Sequence, residues 1–159
     1  MTEITEKLLS NNFVRVNGRC TAEETLTSIF DAGTNTLRDT IFVVMDDAGA
    51  FLGLADPRDL LAGLHTAPEL ISSEELNEQT EKKLLAKLAT PISTLVRRDI
   101  PALYRNANLA TMVKLAASAR ASALPLFDNE TEKKFLGIIP VTAIFNAVCE
   151  LVISAESPL

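Results

Sequence analysis

The chain carries one short apolar pattern twice. Residues Phe51 to Leu54 read Phe-Leu-Gly-Leu, and residues Phe135 to Ile138 read Phe-Leu-Gly-Ile. An internal repeat constrains the fold strongly, because each copy must form the same supersecondary unit. A half-size unit cannot bury its apolar face alone, so the two copies are expected to pack against each other.

An apolar run precedes each copy of this pattern. The first run extends from Ile41 to Asp46 and the second from Ala123 to Asp128, so both end in an aspartate. The residues Asp46 to Gly49 lie between two β-rich runs, which indicates a hairpin. The second connection, residues 129–134, is longer and more polar. Surface turns tolerate such differences in length.

Helices are predicted on both sides of each hairpin. Before the hairpins, apolar residues recur at i, i+3 and i+4, which favours an amphipathic helix. Thr25 and Asn108 occupy matching positions there and are predicted to be the N-caps. After the hairpins, helices are predicted to begin at about Pro57 and about Val141.

Each copy therefore reads β-α-β-β-α, with first strands at residues 13–16 and 100–103. This pattern predicts an α/β (α+β) fold whose two repeats pack with pseudo-two-fold symmetry. The first repeat and an N-terminal segment are assigned to residues 1–71. A charged, helix-prone linker follows over 72–90, and the second repeat with a C-terminal helix takes 91–159.

Charge argues against nucleic-acid binding. The formal net charge is −6, whereas nucleic-acid binding needs a basic face. The basic residues form three short pairs, Lys82-Lys83, Arg97-Arg98 and Lys133-Lys134. Each pair is expected to be solvated surface, because acids or a turn flank it.

The chain offers little for catalysis or metal binding. Cys20 and Cys149 are far apart in sequence, and His65 is the only histidine. A metal site needs more ligands than these, and no Ser/His/Asp arrangement or glycine-rich phosphate loop is present. The sequence therefore predicts neither an enzyme nor a metalloprotein.

Hydropathy predicts a cytoplasmic protein without membrane insertion. The longest apolar stretch, Val141 to Ile153, is too short to span a bilayer, and the N-terminus lacks the pattern of a secretory signal. The hydrophobic fraction is 47%, more than a small monomer needs to bury. A homodimer is therefore expected, since two-fold dimers are the commonest soluble oligomers.

The combined pattern resembles a tandem pair of CBS domains, also called a Bateman module. The resemblance lies in the Gly53–Asp59 stretch, its counterpart Gly137–Ala143, and the Pro-containing strand Ser122–Asp128. It covers about Phe13 to Leu151, nearly the whole chain. The resemblance implies a regulatory module that senses a ligand or engages a regulated protein partner.

The same resemblance implies an adenosyl ligand and requires no cofactor. CBS pairs commonly bind AMP, ADP, ATP or S-adenosylmethionine in clefts between the repeats. The family's ribose-binding aspartate corresponds to Asp59 in the first copy. The other implied ligand-binding positions are Asp56, Leu54, Thr40, Ser122 and Ala123.

The acids at this point of the first copy also have an explanation without a ligand. Asp56-Pro57-Arg58-Asp59 is a strong helix start, with Asp56 as the N-cap and Asp59 in the first turn. Asp56 stands where the family prefers a neutral hydroxyl, and its charge repels a phosphate. Adenosine or the cationic S-adenosylmethionine is therefore tolerated better than a polyphosphate. Thr40 and Ser122 can equally be hydroxyls that satisfy local backbone.

The second copy lacks both polar positions. Pro140 replaces the hydroxyl residue and Ala143 replaces the ribose aspartate, so a second site is expected to be empty or purely structural. The alternative function is a ligand-free dimerisation or protein-interaction module. Its surface would be the apolar faces of the helices after the hairpins, with Leu60, Leu61, Leu64, Ile144, Phe145, Val148, Leu151 and Val152.

Overall fold

The computed structural model describes residues 1–31, 40–64 and 73–156, and His65 therefore lies outside the described residues. The helices are α1 (Glu3–Leu8), α2 (Ala22–Asp31), α3 (Pro57–Leu64), α4 (Ser73–Leu88), α5 (Leu109–Ala119) and α6 (Val141–Glu156). The strands are β1 (Val14–Asn17), β2 (Phe42–Met45), β3 (Phe51–Ala55), β4 (Leu103–Tyr104), β5 (Ala123–Phe127) and β6 (Phe135–Pro140).

These elements form two small sheets of the same topology. In the first sheet β2 is central, parallel to β1 and antiparallel to β3. In the second sheet β5 is central, parallel to β4 and antiparallel to β6. The predicted α+β fold with two β-α-β-β-α repeats is confirmed. How the repeats pack on each other stays a prediction.

The chain forms two compact units that interleave in sequence. One unit is Phe13–Arg98, and the other combines Met1–Asn12 with Asp99–Leu159. The N-terminal segment thus joins the second repeat, where the N–H groups of Ser10 and Ile138 each donate to the other's carbonyl at 2.8 and 3.1 Å. The segment after α4 joins the first repeat, where Arg97 and Leu54 pair in the same way.

Each unit has an apolar core that includes its incoming segment. The core of the first repeat contains Ile92 and Leu95 from the segment after α4. The core of the second repeat contains Leu8 from α1. The hydroxyl of Thr5, which is fully buried, lies within hydrogen-bonding distance of the backbone carbonyls of Thr2 and Arg105, at 2.8 and 2.9 Å. These segments are structural parts of the repeats, because their removal would open the cores.

Local signals predicted the turns and one of the two caps. Asp46 Oδ1 accepts hydrogen bonds from the N–H groups of Ala48 and Ala50 within the predicted hairpin turn. Asn108 caps α5, as expected. The cap predicted at Thr25 is wrong, because Thr25 is buried inside α2 and donates to the carbonyl of Thr21. Thr21 itself accepts the N–H of Glu24 at 3.0 Å and is the cap.

The linker is helical, as the sequence predicts. Helix α4 occupies most of the expected 72–90 range and packs against α2 and α3 within the first unit. A 3-10 turn, Ile92–Thr94, follows it and leads into the strand-like pairing of Arg97. This path brings the end of the linker to the strand that precedes Asp56. Within the described residues, no helix is both long and apolar enough to cross a bilayer.

Candidate functional site

Two aspartates cap helix α3 reciprocally. The N–H of Asp59 donates to Asp56 Oδ1 at 2.8 Å, and the N–H of Asp56 donates to Asp59 Oδ2 at 3.0 Å. This is a capping box, in which the N-cap and the third helical residue satisfy each other's backbone. Pro57 fits the first helical position because it has no N–H to leave unpaired. The predicted helix start is confirmed.

Asp59 also faces a cation. Its Oδ1 lies 3.9 Å from Arg97 Nη1, and the two side chains are only 14% and 24% exposed. That separation permits an ion pair but is too long for a direct hydrogen bond. The two carboxylate oxygens therefore differ, because Oδ2 serves the helix cap and Oδ1 faces the guanidinium.

The protonation of Asp59 reflects these surroundings. Burial raises the pKa of its carboxyl above 3.8, the ordinary value, because it disfavours the charged form. The hydrogen bond from the Asp56 backbone lowers this pKa, the Asp56 carboxylate raises it, and Arg97 lowers it by a smaller amount. The two carboxylates and one guanidinium carry a net negative charge when all three are ionised, so the cluster repels a further anion.

The backbone around Arg97 is firmly placed. The N–H of Arg97 donates to the Leu54 carbonyl at 3.1 Å, and the Leu54 N–H donates back at 3.3 Å. The approach is so close that a Cβ at Gly53 would lie 2.6 Å from the Arg97 carbonyl oxygen. A glycine is therefore required where the incoming segment crosses β3. This contact explains why the repeated pattern contains Gly53.

Sequence reasoning missed Arg97. The pair Arg97-Arg98 was expected to be solvated surface, yet Arg97 is partly buried beside Asp59 while Arg98 is exposed and donates to the Ser93 carbonyl. No local pattern distinguishes the two arginines. The difference arises from the strand pairing with Leu54, which connects residues far apart in sequence.

The structure brings four of the six predicted site residues to the first repeat. Leu54 is buried in β3, directly before Asp56 and Asp59. Phe42 pairs with Ala55, so this antiparallel register places Thr40 at the same end of the sheet as Asp56. Thr40 is partly buried. The remaining two residues, Ser122 and Ala123, lie at the start of β5 in the other unit.

Comparison with known proteins gives a match at the level of structure only. No protein-family model matches the sequence, and no curated protein matches it. The structure is similar to CBSX2 in complex with AMP, with a TM-score of 0.61, 16% identity, and coverage of 91% of this chain and 95% of that one. It is also similar to a CBS domain protein from Streptococcus pneumoniae TIGR4, with a TM-score of 0.61, 21% identity, and coverage of 95% and 86%.

A third similar structure is the cytosolic domain of the Mg²⁺ channel MgtE in complex with ATP. The TM-score is 0.59 and the identity 18%, over 88% of this chain. The chain spans 46% of that MgtE domain. Two of these structures are complexes with an adenine nucleotide, and the third is a CBS domain protein.

The chain has the fold of a tandem CBS-domain pair.

The second repeat of this CBS pair lacks an acidic cap. Helix α6 begins at Val141, whose N–H donates to the Ser122 carbonyl at 2.9 Å. Pro140 and Ala143 stand at the positions that Asp56 and Asp59 hold in the first repeat. Ala123 is fully buried and pairs with Pro140, whereas Ser122 is exposed. The polar chemistry of the α3 start therefore has no side-chain counterpart at the α6 start.

The CBS pair also has surface cavities away from Asp59. A cavity of about 620 Å³ in the second unit is lined by residues that include Arg105 and Asp128, which form an ion pair at 3.0 Å. A cavity of about 500 Å³ in the first unit lies beside the hairpin turn at Asp46. Neither is lined by any of the six predicted site residues. Over the described parts of the chain, no cluster of His, Cys, Asp or Glu could hold a metal ion.

Proposed function

We propose that this CBS pair is a regulatory module that binds an adenosyl ligand at the first repeat, where Asp59 accepts a ribose hydroxyl. The observation that carries the proposal is the asymmetry of the Asp59 carboxylate. Its Oδ2 is occupied by the helix cap, and its Oδ1 is 3.9 Å from Arg97. Among the contacts of Asp59 with the described residues, none is a hydrogen bond to Oδ1.

The cap makes Asp59 a pre-organised acceptor. A carboxylate held by its own helix loses little further conformational freedom when a ligand binds. Its low exposure strengthens a charge-assisted hydrogen bond, because fewer waters compete for the oxygen. Thr40 lies at the same end of the sheet, which keeps it within the proposed site, and the buried Leu54 holds the backbone of Arg97 beside it. Ser122 and Ala123 remain proposed contributors from the second repeat.

The charge of the cluster narrows the ligand class. Asp56 Oδ1 already accepts the N–H of Asp59, so this helix start offers a phosphate one N–H fewer than an uncapped start would. The carboxylate of Asp56 adds repulsion. The proposal therefore favours adenosine or S-adenosylmethionine over ADP and ATP, with AMP between them. The bound AMP and ATP of two similar structures support the adenosyl part of the proposal.

Asp59→Asn tests the proposal. Asparagine keeps an oxygen for the helix cap but removes the charge that accepts a ribose hydroxyl. A ligand at a hundredfold excess over its Kd stabilises the native protein by roughly 2.7 kcal/mol, a rise in Tm of about 5–10 °C. Thermal unfolding should show this rise for the wild-type protein with adenosine or S-adenosylmethionine, and little of it for Asp59→Asn.

Glu23→Gln serves as the control, because Glu23 is an exposed acid in the first turn of α2. This variant should respond to the ligand as the wild-type protein does. The absence of a shift in the wild-type protein with adenosine, AMP, ADP, ATP and S-adenosylmethionine would refute the proposal. An equal rise in Tm for Asp59→Asn would show that Asp59 does not bind the ligand.

A second function is favoured by a different observation. Leu61 on α3 and Phe145 on α6 are 69% and 66% exposed, and the repeat places them at equivalent positions. Leu151, Val152 and Ile153 extend the exposed apolar surface along α6. We propose that these exposed side chains lie in homodimer or partner interfaces, one on each repeat. Such an interface is compatible with ligand binding, and it is the whole function if no ligand binds. Cytoplasmic location and the absence of catalysis stay predictions.

A further inference from the structure

Arg97 is the one residue of the candidate site that comes from the segment after the linker helix. We infer that Arg97 is a second ligand-binding residue and that a single ligand hydroxyl bridges Asp59 Oδ1 and the Arg97 guanidinium. This inference rests on the proposed function, since it names how the first repeat recognises the ribose. It adds a residue that neither the repeat pattern nor the six predicted positions include.

The separation of the two groups fits one bridging oxygen. Asp59 Oδ1 and Arg97 Nη1 are 3.9 Å apart. An oxygen about 2.7 Å from the carboxylate and about 2.9 Å from the guanidinium makes normal hydrogen bonds to both. With those lengths the angle at the bridging oxygen is roughly 90°, which suits a hydroxyl that donates on one side and accepts on the other.

The chemistry of the two side chains selects that oxygen. An ionised carboxylate only accepts hydrogen bonds and a guanidinium only donates them. A group that bridges them must therefore both donate and accept. A hydroxyl does so, whereas an ionised phosphate oxygen cannot donate to Asp59 and an ammonium cannot accept from Arg97. The pair therefore recognises a neutral hydroxyl selectively.

The Asp59 carboxylate and the backbone that carries the Arg97 side chain are held in place before the ligand arrives. Asp59 is fixed by the cap with Asp56, and the backbone of Arg97 is fixed by its two hydrogen bonds to Leu54. The close approach at Gly53 prevents this segment from lifting away without loss of packing. A pre-organised pair discriminates well, because it does not relax around a ligand that lacks the hydroxyl.

The test measures calorimetric affinities for adenosine, 2′-deoxyadenosine and 3′-deoxyadenosine. Hydrogen bonds to charged groups contribute about 1.5–3 kcal/mol, so one of the two deoxy analogues should bind the wild-type protein roughly 10–100-fold more weakly than adenosine. Arg97→Gln should bind adenosine more weakly and should discriminate less between adenosine and that analogue. Arg97→Lys retains donors and should restore part of the discrimination. Arg98→Gln, which changes the adjacent exposed arginine, should match the wild-type protein.

The outcomes separate this inference from the proposed function. If the wild-type protein binds both deoxy analogues as tightly as it binds adenosine, the bridge is overturned. This result needs no variant to fold. Discrimination that is unchanged in Arg97→Gln overturns the role of Arg97 and leaves the role of Asp59 standing. Failure of the wild-type protein to bind any adenosyl compound overturns both proposals together.

Discussion

At the scale of single residues, Asp56 and Asp59 have different roles although they lie in one capping box. Asp56 Oδ1 accepts the hydrogen bond from the N–H of Asp59, as the side chain of an N-cap residue commonly does. Asp59 returns the bond through Oδ2 and keeps Oδ1 towards Arg97. The helix cap therefore uses Oδ2 of Asp59 and leaves Oδ1 facing Arg97. That remaining oxygen is what makes Asp59 the centre of the proposed site.

The raised pKa of Asp59 leads to a prediction about stability. A carboxyl whose folded-state pKa lies above its unfolded value binds more protons when folded, so stability is lost as pH rises from 3.8 through the raised pKa. Asp59→Asn has no such proton to lose. Urea unfolding at a series of pH values should show that the free energy of unfolding of Asp59→Asn rises relative to that of the wild-type protein as pH increases across this range. Above the range the difference between the two should be constant.

The opposite trend would contradict the assignment of burial as the main cause. If the wild-type protein gained on Asp59→Asn with rising pH, the pKa of Asp59 would be lowered, and Arg97 and the Asp56 N–H would outweigh desolvation.

The sequence predicted the acids of this site but not the cation. Asp56 and Asp59 stand in a local pattern, four residues long, that physical rules read as a helix start. Arg97 joins them only through the pairing of its backbone with Leu54, and its neighbour Arg98 has the same composition around it. Contacts between residues distant in sequence leave no local signal, so the guanidinium could not be placed from the sequence.

At the scale of elements, the strands and helices lie where the hydrophobic periodicity predicts them, except for one strand boundary and one helix cap. Helices α3 and α6 begin at Pro57 and Val141, as predicted. The strand expected at residues 100–103 is shifted to Leu103–Tyr104. Pro101, which has no N–H to donate to a sheet, lies before the observed strand. The Thr25 cap was wrong because Thr21 begins the same helix one turn earlier and offers the Thr-x-x-Glu pattern.

The N-terminal segment provides a prediction at this scale. Leu8 is 7% exposed and belongs to the core of the second repeat. Leu8→Ala should therefore lower the free energy of unfolding by about 2–4 kcal/mol. Lys7→Ala is the matched control, since Lys7 makes an exposed ion pair with Glu150 that contributes at most about 1 kcal/mol. Urea unfolding measures both, and equal small losses would mean that the segment does not complete this core.

At the scale of the whole molecule, several large apolar side chains remain exposed to solvent. Among the described residues, the two most exposed large apolar side chains are Leu61 on α3 and Phe145 on α6, while Ile144 and Ala147 on the latter helix are buried. Helix α6 thus has apolar residues on a buried face and on an exposed one. Exposed apolar surface of this kind marks an interaction site in soluble proteins. The homodimer predicted from the hydrophobic fraction of the sequence stays a prediction, and we expect it to use this surface.

Sedimentation velocity at micromolar concentration tests the homodimer. The wild-type protein should sediment as a dimer, and Phe145→Glu should shift the population towards monomer because it places a charge in an apolar interface. Asn146→Glu adds the same charge at a neighbouring exposed polar position and should leave the dimer intact. A wild-type monomer at this concentration would refute the homodimer. If Phe145→Glu still sediments as a dimer, Phe145 does not lie in the dimer interface.

The pairing of Ser10 with Ile138 has a consequence for synthesis on the ribosome. Residues 1–12, which complete the second repeat, leave the ribosome before strand β6, which receives them. The unit Phe13–Arg98 is contiguous, so it can fold while the rest of the chain is still being made. Until the second repeat is synthesised, residues 1–12 lack their partners and Leu8 stays exposed to solvent. Closing a loop of such length is slow compared with local folding, so we expect the second repeat to become protected after the first.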